Sequence, residues 1–566
     1  MFQMKTIRTT LFFAVLALNT MGQTNWYFAK QAYGLPTEDV GNGIVDKYDN
    51  IYVTGSIICF GVPITGPYDT AYFGTYPVKI QSNVASVSYL AKYDDNGKVI
   101  WVTTSGGDPG TDADGFRIAS DTKGNIYETG IFGGVQRWGT WGFLSRDTID
   151  AYMVKYNSNG AVKWAIDLPG IQVIYAIATD NGKNIYLTGL YRDTMFVGSS
   201  YYLGDSNSCT FIAKFDSTGK SIWVQTAIDS SPNEATGLSI DASNHIYISG
   251  TFKGSHIAFG TQNITQADTQ GVFIVKYDTG GNVLWAKSPQ GFYNAGALTN
   301  CIDRTNNLYL AGQFDSIHVD PYRFLNPARR KSMYIAKFDT SGKLEWVNTA
   351  TGTAPLNLFF GGTYPYCITT DTAEQVYVSC SSGDTITMGS LFLSTYKFYD
   401  PNFYQPSSVM KLDSNGNPIC GIIMPCGGDD ENAVAIDKQG NVIYEGDIEN
   451  TDQFGPYTLT PTNGELAFII KFSCDVPNAI EPISGNQESI SVYPNPFSSF
   501  TTITFGGKNE THYLEVDDIT GRKLKFIECH ENEYQLSRGG LAAGVYILKV
   551  YDNTKQVVAN NKIVVY

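Results

Sequence analysis

A five-residue segment that recurs seven times constrains the fold of this chain more than any other feature. Its full form is Ile-Tyr-x-Thr-Gly, and each copy is followed by a second marker, Lys-aromatic-Asp or a close variant. The copies begin at Ile51, Ile126, Ile185, Ile246, Leu308, Val376 and Val442, and the marker lysines are Lys92, Lys155, Lys214, Lys276, Lys337, Lys411 and Lys471. Because these lysines are 59 to 74 residues apart, the sequence predicts seven copies of one structural unit.

Each unit contains four short segments in which β-branched and aromatic residues alternate with polar ones. A small apolar segment ends in Asp, and the Ile-Tyr segment, the Lys-aromatic segment and a Trp-containing segment follow it. Such alternation is typical of β-strands, so four strands repeated seven times predict an all-β chain that forms a seven-bladed β-propeller. Charged residues make up only 16% of the chain and Gly 57 of its 566 residues, which agrees with many tight turns.

The tryptophans indicate how the ring closes. Five units carry a Trp in their fourth segment, Cys420 replaces it in the sixth, and the seventh unit lacks such a segment. One further Trp segment, Trp26–Lys30, lies near the N-terminus. We therefore expect this segment, with Trp26 in the Trp position, to complete blade seven, since closure removes the unpaired edges that a linear array would keep.

Seven aspartates begin the first turn of each unit: Asp46, Asp121, Asp180, Asp241, Asp303, Asp371 and Asp437. One interpretation is that each carboxylate accepts the N–H groups of its own turn. The other is a metal loop, but the bidentate acid that a calcium loop needs at a fixed offset is missing from the pattern. The turn interpretation is favoured, and no metal or cofactor is predicted.

Nine cysteines are an odd number, and their spacing matches no zinc pattern. If Asp371 lies opposite Val376, then Cys367 lies opposite Cys380, at a distance that a disulfide can bridge after a small adjustment. Two unpaired, half-buried thiols are the alternative interpretation of this pair.

The N-terminus has the pattern of an export signal. Lys5 and Arg8 precede eight apolar residues, 11–18, and Thr20 and Gly22 stand where a cleavage site needs small residues. We expect residues 1–22 to be a signal peptide, with a buried strand as the alternative, and residues 23–474 to be the propeller. No later apolar stretch is long enough for a transmembrane helix. The net charge of −15 disfavours a nucleic-acid partner.

The repeat resembles the SBBP (beta-propeller repeat) family of secreted bacterial proteins. The resemblance rests on the Gly-Asn-Ile-Tyr-x-Thr-Gly and Lys-Tyr-Asp-x-x-Gly-x-x-x-Trp segments and extends from about Trp26 to Cys474. It implies a seven-bladed propeller and carries no catalytic signature. The sixth and seventh units depart from the pattern, so the ends of their blades are less well defined.

A separate module follows a polar linker, residues 475–488. Residues 489–566 lack the repeat markers, and their short alternating strands suggest a small Ig-like β-sandwich. Four segments, Tyr493–Pro496, Asp518–Lys523, Leu541–Tyr546 and Lys562–Val565, resemble the type A sorting domain of the type IX secretion system, which exported Bacteroidetes proteins carry. The final Tyr566 departs from the frequent basic last residue. An ordinary Ig-like adhesion module is the alternative.

The second resemblance implies a destination and partners. The translocon and sorting machinery of the type IX system would read the domain and cleave it, and the protein would then be attached to surface lipopolysaccharide or released. The residues that would carry the sorting signal by this resemblance are Gly544, Val545, Tyr546, Lys562, Ile563, Val564 and Val565.

Catalytic motifs are missing from the sequence. It has five histidines and none of the local signatures of serine hydrolases, zinc proteases or P-loop proteins. We therefore predict a noncatalytic binding or adhesion propeller outside the cell. The alternative is a secreted hydrolase or lyase, acting on polysaccharide or peptide, whose acid–base pair comes from several blades and so leaves no local motif.

Long aromatic-rich connections give a candidate ligand face. They occur in units one and six and between units five and six, and a closed ring would bring them to one side. The candidate residues are Tyr72, Phe73, Phe360, Phe398 and Phe403. Aromatic side chains in variable loops suit a glycan or a protein ligand, whereas the alternative is that they pack only their own loops.

Overall fold

The computed structural model describes residues 24–33, 38–59, 68–81, 84–204, 208–228, 231–265, 270–325, 332–353, 363–382, 385–389, 391–394, 406–427, 433–448, 450–461, 466–474, 490–493, 495, 497–505, 511–518, 523–542, 544–553 and 557–565. Over these ranges the chain is all-β, as predicted. Within these ranges there is no helix long and apolar enough to cross a membrane. The chain divides into two compact units, Gln23–Asp475 and a second one that contains Val476–Tyr566.

The described part of the first unit contains seven antiparallel sheets that each have four main strands, and we number them in chain order; an inserted hairpin extends sheets 3, 5 and 7 to six strands. Sheets 1 to 3 comprise Glu38–Val45, Ile51–Ile58, Ser86–Tyr93, Val99–Thr104; Asp112–Ser120, Ile126–Gly133, Asp150–Tyr156, Val162–Leu168; and Ile171–Thr179, Ile185–Tyr191, Cys209–Phe215, Ser221–Ile228. Sheets 4 to 6 comprise Asn233–Ile240, Ile246–Lys253, Gln270–Tyr277, Val283–Lys287; Gly296–Ile302, Leu308–Phe314, Ser332–Phe338, Leu344–Thr353; and Thr363–Thr370, Val376–Ser382, Pro406–Leu412, Pro418–Gly427. Sheet 7 comprises Val434–Ile436, Val442–Ile448, Leu466–Cys474 and the N-terminal Thr24–Tyr33.

The sheets surround a common axis in a propeller-like arrangement. The first strand of each sheet contacts the first strand of the next, and the first strand of sheet 7 contacts that of sheet 1. The N-terminal strand pairs with Leu466–Cys474 from Thr24 opposite Cys474 to Gln31 opposite Phe468, so it supplies the fourth strand of sheet 7 as predicted. The hydrophobic clusters lie between neighbouring sheets, where both faces are apolar.

A β-hairpin is inserted between the second and third strands of every sheet, and each hairpin takes the number of its sheet. Hairpins 1 to 7 are Tyr68–Phe73/Tyr76–Gln81, Val135–Trp138/Trp141–Leu144, Thr194–Val197/Ser200–Leu203, His256–Phe259/Gln262–Thr265, Ser316–Val319/Tyr322–Leu325, Thr385–Met388/Leu391–Ser394 and Asp452–Phe454/Tyr457–Leu459. Hairpins 1, 4 and 6 pair with the outer strand of the preceding sheet, and hairpins 2 and 5 pair with the short strands Gly106–Gly107 and Phe292–Tyr293 that follow such a strand. These five hairpins therefore fasten neighbouring sheets together.

The second unit contains two sheets around one apolar core. A three-stranded sheet is formed by Ile490–Tyr493, Phe500–Phe505 and Glu533–Ser537, and a four-stranded sheet by Lys523–Cys529, His512–Asp518, Gly544–Tyr551 and Val557–Val565. Ile503 and Leu536 of the first sheet and Leu514 and Leu548 of the second belong to the same buried cluster. Both sheets are thus covered on one face by the other.

Candidate functional site

The carboxylate oxygens of the turn aspartates accept hydrogen bonds from groups in or next to their own turns. Oδ1 of Asp121 accepts the N–H groups of Lys123 and Asn125 at 2.8 and 3.0 Å, and Oδ2 accepts the Asn125 side chain at 2.7 Å and the Tyr127 hydroxyl at 3.2 Å. Burial alone would raise the pKa of Asp121, but these hydrogen bonds outweigh it and hold that pKa below its usual value. In the other six turns Oδ1 of the aspartate likewise accepts the N–H group of the residue four positions further on. This is the chemistry of the turn interpretation.

The other repeated residues form a column of side chains that reaches the next sheet. In sheet 3 the Tyr186 hydroxyl donates to Asp180 Oδ2 at 3.0 Å, and Lys214 Nζ lies 5.2 Å from the Tyr186 ring centroid. Lys214 Nζ and Trp223 Nε1 both donate to the Thr279 carbonyl in sheet 4, at 2.8 and 3.2 Å. The Asp, Tyr, Lys and Trp of the repeat therefore hold sheets together, which gives the motif a structural role.

The seventh Trp position is occupied by Phe28, which corrects the assignment of Trp26. In sheets 1 to 6 the marker lysine lies opposite the Trp or Cys420, and in sheet 7 Lys471 lies opposite Phe28. A bulge between Trp26 and Phe28 shifts the register. The Trp26 ring packs instead against Phe472, with centroids 5.2 Å apart.

A cavity of about 180 Å³ lies at the axis and is lined from all seven sheets or their immediate flanks. Arg117 lies in its wall, where Nε donates to the Tyr175 carbonyl at 2.9 Å and Nη1 to the Phe116 carbonyl at 2.8 Å. Burial, and next the charge of Glu234, raise the pKa of Tyr175 to about 12. The cavity thus has Tyr175 and Arg117 among the residues of its wall.

A β-bulge recurs at the level of this cavity in six first strands. The extra residue stands five positions before the turn aspartate in each case: Gly41, Phe116, Tyr175, Thr236, Leu298 and Tyr366. All of these except Phe116 line the cavity. Because a bulge redirects side chains and is frequent beside functional sites, the cavity wall is shaped by a repeated backbone feature that side-chain patterns do not reveal.

Glu128 is a buried acid that the sequence analysis did not single out. It occupies the variable position of the Ile-Tyr-x-Thr-Gly segment in sheet 2 and accepts hydrogen bonds from Thr54 Oγ1 at 2.9 Å, Tyr152 at 3.1 Å and Tyr156 at 2.6 Å. Burial raises its pKa to about 7 against the effect of these hydrogen bonds. Through Thr54 it joins sheet 2 to sheet 1. An acid within an otherwise apolar strand segment was the available signal.

Glu445 is a second such acid, on the face of sheet 7 that meets sheet 1. It takes the place of the Thr in the repeat, and within the described residues neither carboxylate oxygen has a hydrogen-bond partner. Burial raises the pKa of Glu445 well above its usual value. A Cβ on Gly43 of sheet 1 would overlap this carboxyl group. The glycine at position 43 therefore leaves the space that the Glu445 side chain occupies.

The candidate ligand face is only partly described, and one of its members is corrected. The Phe73 side chain is buried against Tyr89, with ring centroids 5.0 Å apart, so it belongs to the core and cannot offer its ring to a ligand. The Tyr72 ring is half-buried and stacks on Tyr33 with centroids 5.2 Å apart. Phe360, Phe398 and Phe403 lie outside the described residues.

Exposed aromatic side chains lie on the inserted hairpins. Trp141 of hairpin 2, Tyr201 of hairpin 3 and Phe392 of hairpin 6 are 42%, 65% and 49% exposed. From the sequence we expect Phe392 in the long connection of unit six, but sequence reasoning treats these segments as variable connections, so it misses the hairpins themselves, Trp141 and Tyr201. Most of the hairpins share a Gly at the tip, such as Gly74, Gly139 and Gly198, all with positive φ, and this was the signal that could have found them.

The predicted disulfide between Cys367 and Cys380 is wrong, since both cysteines are free. The turn pairs Asp371 with Gln375, which places Cys367 opposite Ser379 and one position away from Cys380. Adjacent positions of a strand point to opposite faces, so the two thiols do not meet. A disulfide joins Cys420 of sheet 6 to Cys474 of sheet 7 instead.

The structure brings the residues of the proposed sorting signal together in one strand pair. Gly544, Val545 and Tyr546 lie opposite Val565, Val564 and Ile563, and Lys562 lies opposite the next residue, Ile547. Tyr546 and Ile563 are buried, and the Tyr546 hydroxyl donates to the Ala542 carbonyl at 2.7 Å. The last strand thus packs against the core and forms one edge of the four-stranded sheet.

Comparison with known proteins supports the assignment of a sorting domain at the C-terminus. Residues 491–566 match the secretion system C-terminal sorting domain. A WD repeat-containing protein of Acanthamoeba polyphaga mimivirus is 24% identical over 339 residues, which are 49% of this chain and 24% of that protein. The chain therefore spans about a quarter of the length of this curated relative.

Solved structures resemble the chain only distantly. PorZ, a surface component of the type IX secretion system of Porphyromonas gingivalis, aligns with 96% of this chain and 100% of its own at 10% identity, with a TM-score of 0.25. A Bacteroides vulgatus protein of the DUF4221 family aligns with 63% of this chain and 92% of its own at 12% identity, with a TM-score of 0.31. Neither likeness assigns a function to this chain.

The C-terminal match indicates where the protein goes. A sorting domain of this kind implies interaction with the type IX secretion machinery and export through it. The protein is therefore exported and resides at the cell surface or is secreted.

Proposed function

We propose that the first unit is a noncatalytic binding or adhesion module which the C-terminal domain delivers to the outside of the cell. The observation that supports this proposal is that two sets of residues in the first unit have different roles. The repeated Asp, Tyr, Lys and Trp fasten the sheets together, whereas the inserted hairpins carry exposed aromatic side chains. Recognition residues on variable segments of a rigid scaffold are typical of binding proteins.

We further infer a seven-bladed propeller of the SBBP type. The seven sheets, the cyclic contacts of their first strands and the N-terminal strand of sheet 7 support this architecture. The accompanying boundaries are a signal peptide at 1–22, the propeller at 23–474, a linker at 475–488 and the sorting domain at 489–566. Signal-peptide cleavage before Gln23 is open to direct N-terminal sequencing.

A glycan or protein ligand would bind at the aromatic hairpin surfaces. The test is a glycan array probed with the exported protein, run beside a screen for hydrolase and lyase activity on the same polysaccharides. We expect retention on a ligand without formation of shorter products. Product release at a rate that depends on the protein would support the alternative, a hydrolase or lyase with a site assembled from several sheets.

A further inference from the structure

The outer face of hairpin 3 differs from the corresponding face of the other hairpins. Its cross-strand pair is Phe196 and Tyr201, and Leu203 lies on the same face two pairs further on. These side chains are 36%, 65% and 71% exposed. The equivalent pairs elsewhere are Tyr72/Pro77, Arg137/Gly142, Ala258/Asn263, His318/Arg323, Thr387/Phe392 and Gln453/Thr458. Among the seven described hairpins, only hairpin 3 has two aromatic residues in this pair.

A cation from the neighbouring sheet completes this surface. Arg146, in the connection that follows hairpin 2, places its guanidinium carbon 5.0 Å from the Phe196 ring centroid. The Arg146 side chain is exposed, and within the described part of the chain its guanidinium makes no hydrogen bond or ion pair. The surface therefore combines two aromatic rings with a guanidinium whose N–H groups are available to a ligand.

The two halves of the surface are fixed to the same turn. The buried Asp150 carboxylate accepts the Arg146 backbone N–H at 2.6 Å and the Gly170 N–H at 3.4 Å. The Phe196 N–H donates to the Pro169 carbonyl at 2.8 Å. Because Gly170 contacts Asp150, which holds the Arg146 backbone, and Pro169 holds the Phe196 backbone, the backbone segments that carry the rings and the guanidinium are placed before any ligand binds, which lowers the entropic cost of binding.

The combination selects the chemistry of the ligand. An aromatic ring offers an apolar face on which the C–H face of a sugar ring can lie, and a guanidinium offers paired donors that match a carboxylate. The chain carries a net charge of −15 and repels anions in general, so an anionic ligand needs a local cation such as Arg146. An acidic peptide would gain its affinity from a strand edge or side-chain pockets, whereas this surface offers ring faces and one guanidinium.

We propose that Phe196, Tyr201 and Arg146 form a binding site for an acidic glycan, a saccharide that bears a carboxylate. This proposal rests on the proposed binding function and names its ligand class and its location. The rings hold the sugar face, and Arg146 holds the carboxylate, so binding weakens as the salt concentration rises.

The test uses the exported protein on an array of oligogalacturonate, alginate and hyaluronan fragments and sialyllactose, with carboxyl-esterified and neutral counterparts. The variants are Tyr201→Ala and Arg146→Gln. Tyr48→Ala is the matched control, because it removes a ring of similar exposure, 66%, that has a cation, Lys47 Nζ, 5.0 Å from its centroid but lies in the first turn of sheet 1 and on no hairpin. We expect Tyr201→Ala to weaken binding of acidic glycans at least tenfold. We expect Arg146→Gln to remove the preference for the free carboxylate over its ester, and Tyr48→Ala to leave binding unchanged.

The outcomes separate this proposal from the function on which it rests. Acidic-glycan binding that survives both variants would overturn the site but leave the binding function intact. Binding of neutral glycans alone, or of an acidic peptide included on the array but no glycan, would overturn the ligand class. Circular dichroism and the melting temperature of each variant show whether it is folded. An array on which the folded wild-type protein binds nothing would count against both proposals.

Discussion

The interface between sheets 2 and 3 and the interface between sheets 7 and 1 share a backbone plan but differ in their side chains. In the first, the Trp164 ring lies beside Gly219, which has a φ of +85°. Trp164 Nε1 donates to the Ser217 carbonyl at 3.2 Å, and Lys155 Nζ donates to the same oxygen at 2.7 Å. The ring and the two donors thus occupy one turn of the neighbouring sheet.

In the second interface a different ring takes the same place. The Phe28 ring lies beside Gly97, which has a φ of +74° and on which a Cβ would come within 2.8 Å of that ring. Lys471 Nζ donates to the Asp95 carbonyl at 3.2 Å, but Phe28 has no N–H to add. The comparison of these two interfaces shows that the Trp hydrogen bond can be omitted where a ring still lies against the glycine turn and the lysine contact is kept.

The largest expected effect comes from removing the strand that closes the ring. A chain that begins at residue 34 lacks Thr24–Tyr33, so Leu466–Cys474 keeps one unpaired edge and Gly97 loses its ring. We expect aggregation and loss of a single cooperative unfolding transition, measured by size-exclusion chromatography and calorimetry. A chain that begins at Thr24 is the control. A monomer with an unchanged melting temperature would show that the closing strand is dispensable.

Trp164→Ala should be the most costly single substitution in the repeated interface. The side chain is 8% exposed, and removing it leaves a cavity and takes away one of the two donors to the Ser217 carbonyl, so we expect a loss of about 3–5 kcal/mol in the free energy of unfolding. Urea denaturation measures it. Lys163→Ala, an exposed neighbour, is the control. A loss below about 1 kcal/mol would mean that the ring does not carry the interface.

We expect the stability of the two interfaces of sheet 1, with sheets 2 and 7, to depend on pH. Burial raises the pKa of Glu128 to about 7, so the folded protein holds this proton more tightly than the unfolded chain does. Stability from this group is complete below the unfolded-state pKa and declines as pH rises towards 7, by about 3 kcal/mol in total.

The measurement is chemical denaturation of wild type and Glu128→Gln from pH 4.5 to 8. We expect the variant to show a flatter profile than wild type. Glu445→Gln serves as the companion on the other side of sheet 1, and its pKa is raised in the same direction by burial. Profiles that remain parallel to wild type in both variants would exclude these acids as the source of the pH dependence.

The smallest effect is expected from exchanging the two rings. Trp164→Phe converts the repeated interface to the chemistry of the closing one, and it should cost about 1 kcal/mol for the lost hydrogen bond to Ser217 plus a small packing loss. Phe28→Trp is the reciprocal change and should be close to neutral if the added N–H reaches the Asp95 carbonyl. Equal, large losses in both variants would show that each interface is specific for its own ring.

The sequence predicted the parts of the fold that follow from periodicity. The Ile-Tyr and Lys-aromatic markers located the second and third strands of each sheet, and the unassigned N-terminal segment indicated the strand that completes sheet 7. The sorting-signal residues are likewise paired in one sheet. These predictions succeeded because repeated local patterns determine which strands are neighbours.

Register was harder to predict, because a shift of one residue changes every pairing. The turn pairs Asp371 with Gln375, which separated Cys367 from Cys380, and a bulge placed Phe28 rather than Trp26 opposite Lys471. The surface of hairpin 3 depends on contacts between distant segments, such as Arg146 with Phe196. Nothing in the local pattern of either segment indicates that they meet.

Export of the protein by its C-terminal domain is tested directly by locating the protein with and without that domain. Full-length protein and a chain ending at residue 489 would be expressed in a bacterium that has a type IX secretion system. Surface labelling, cell fractionation and assay of the medium would then be compared. The matched domain at 491–566 predicts that the full-length protein reaches the surface or the medium, whereas the shortened chain folds and remains in the periplasm. Equal surface display or release of both chains would show that export does not depend on the C-terminal domain.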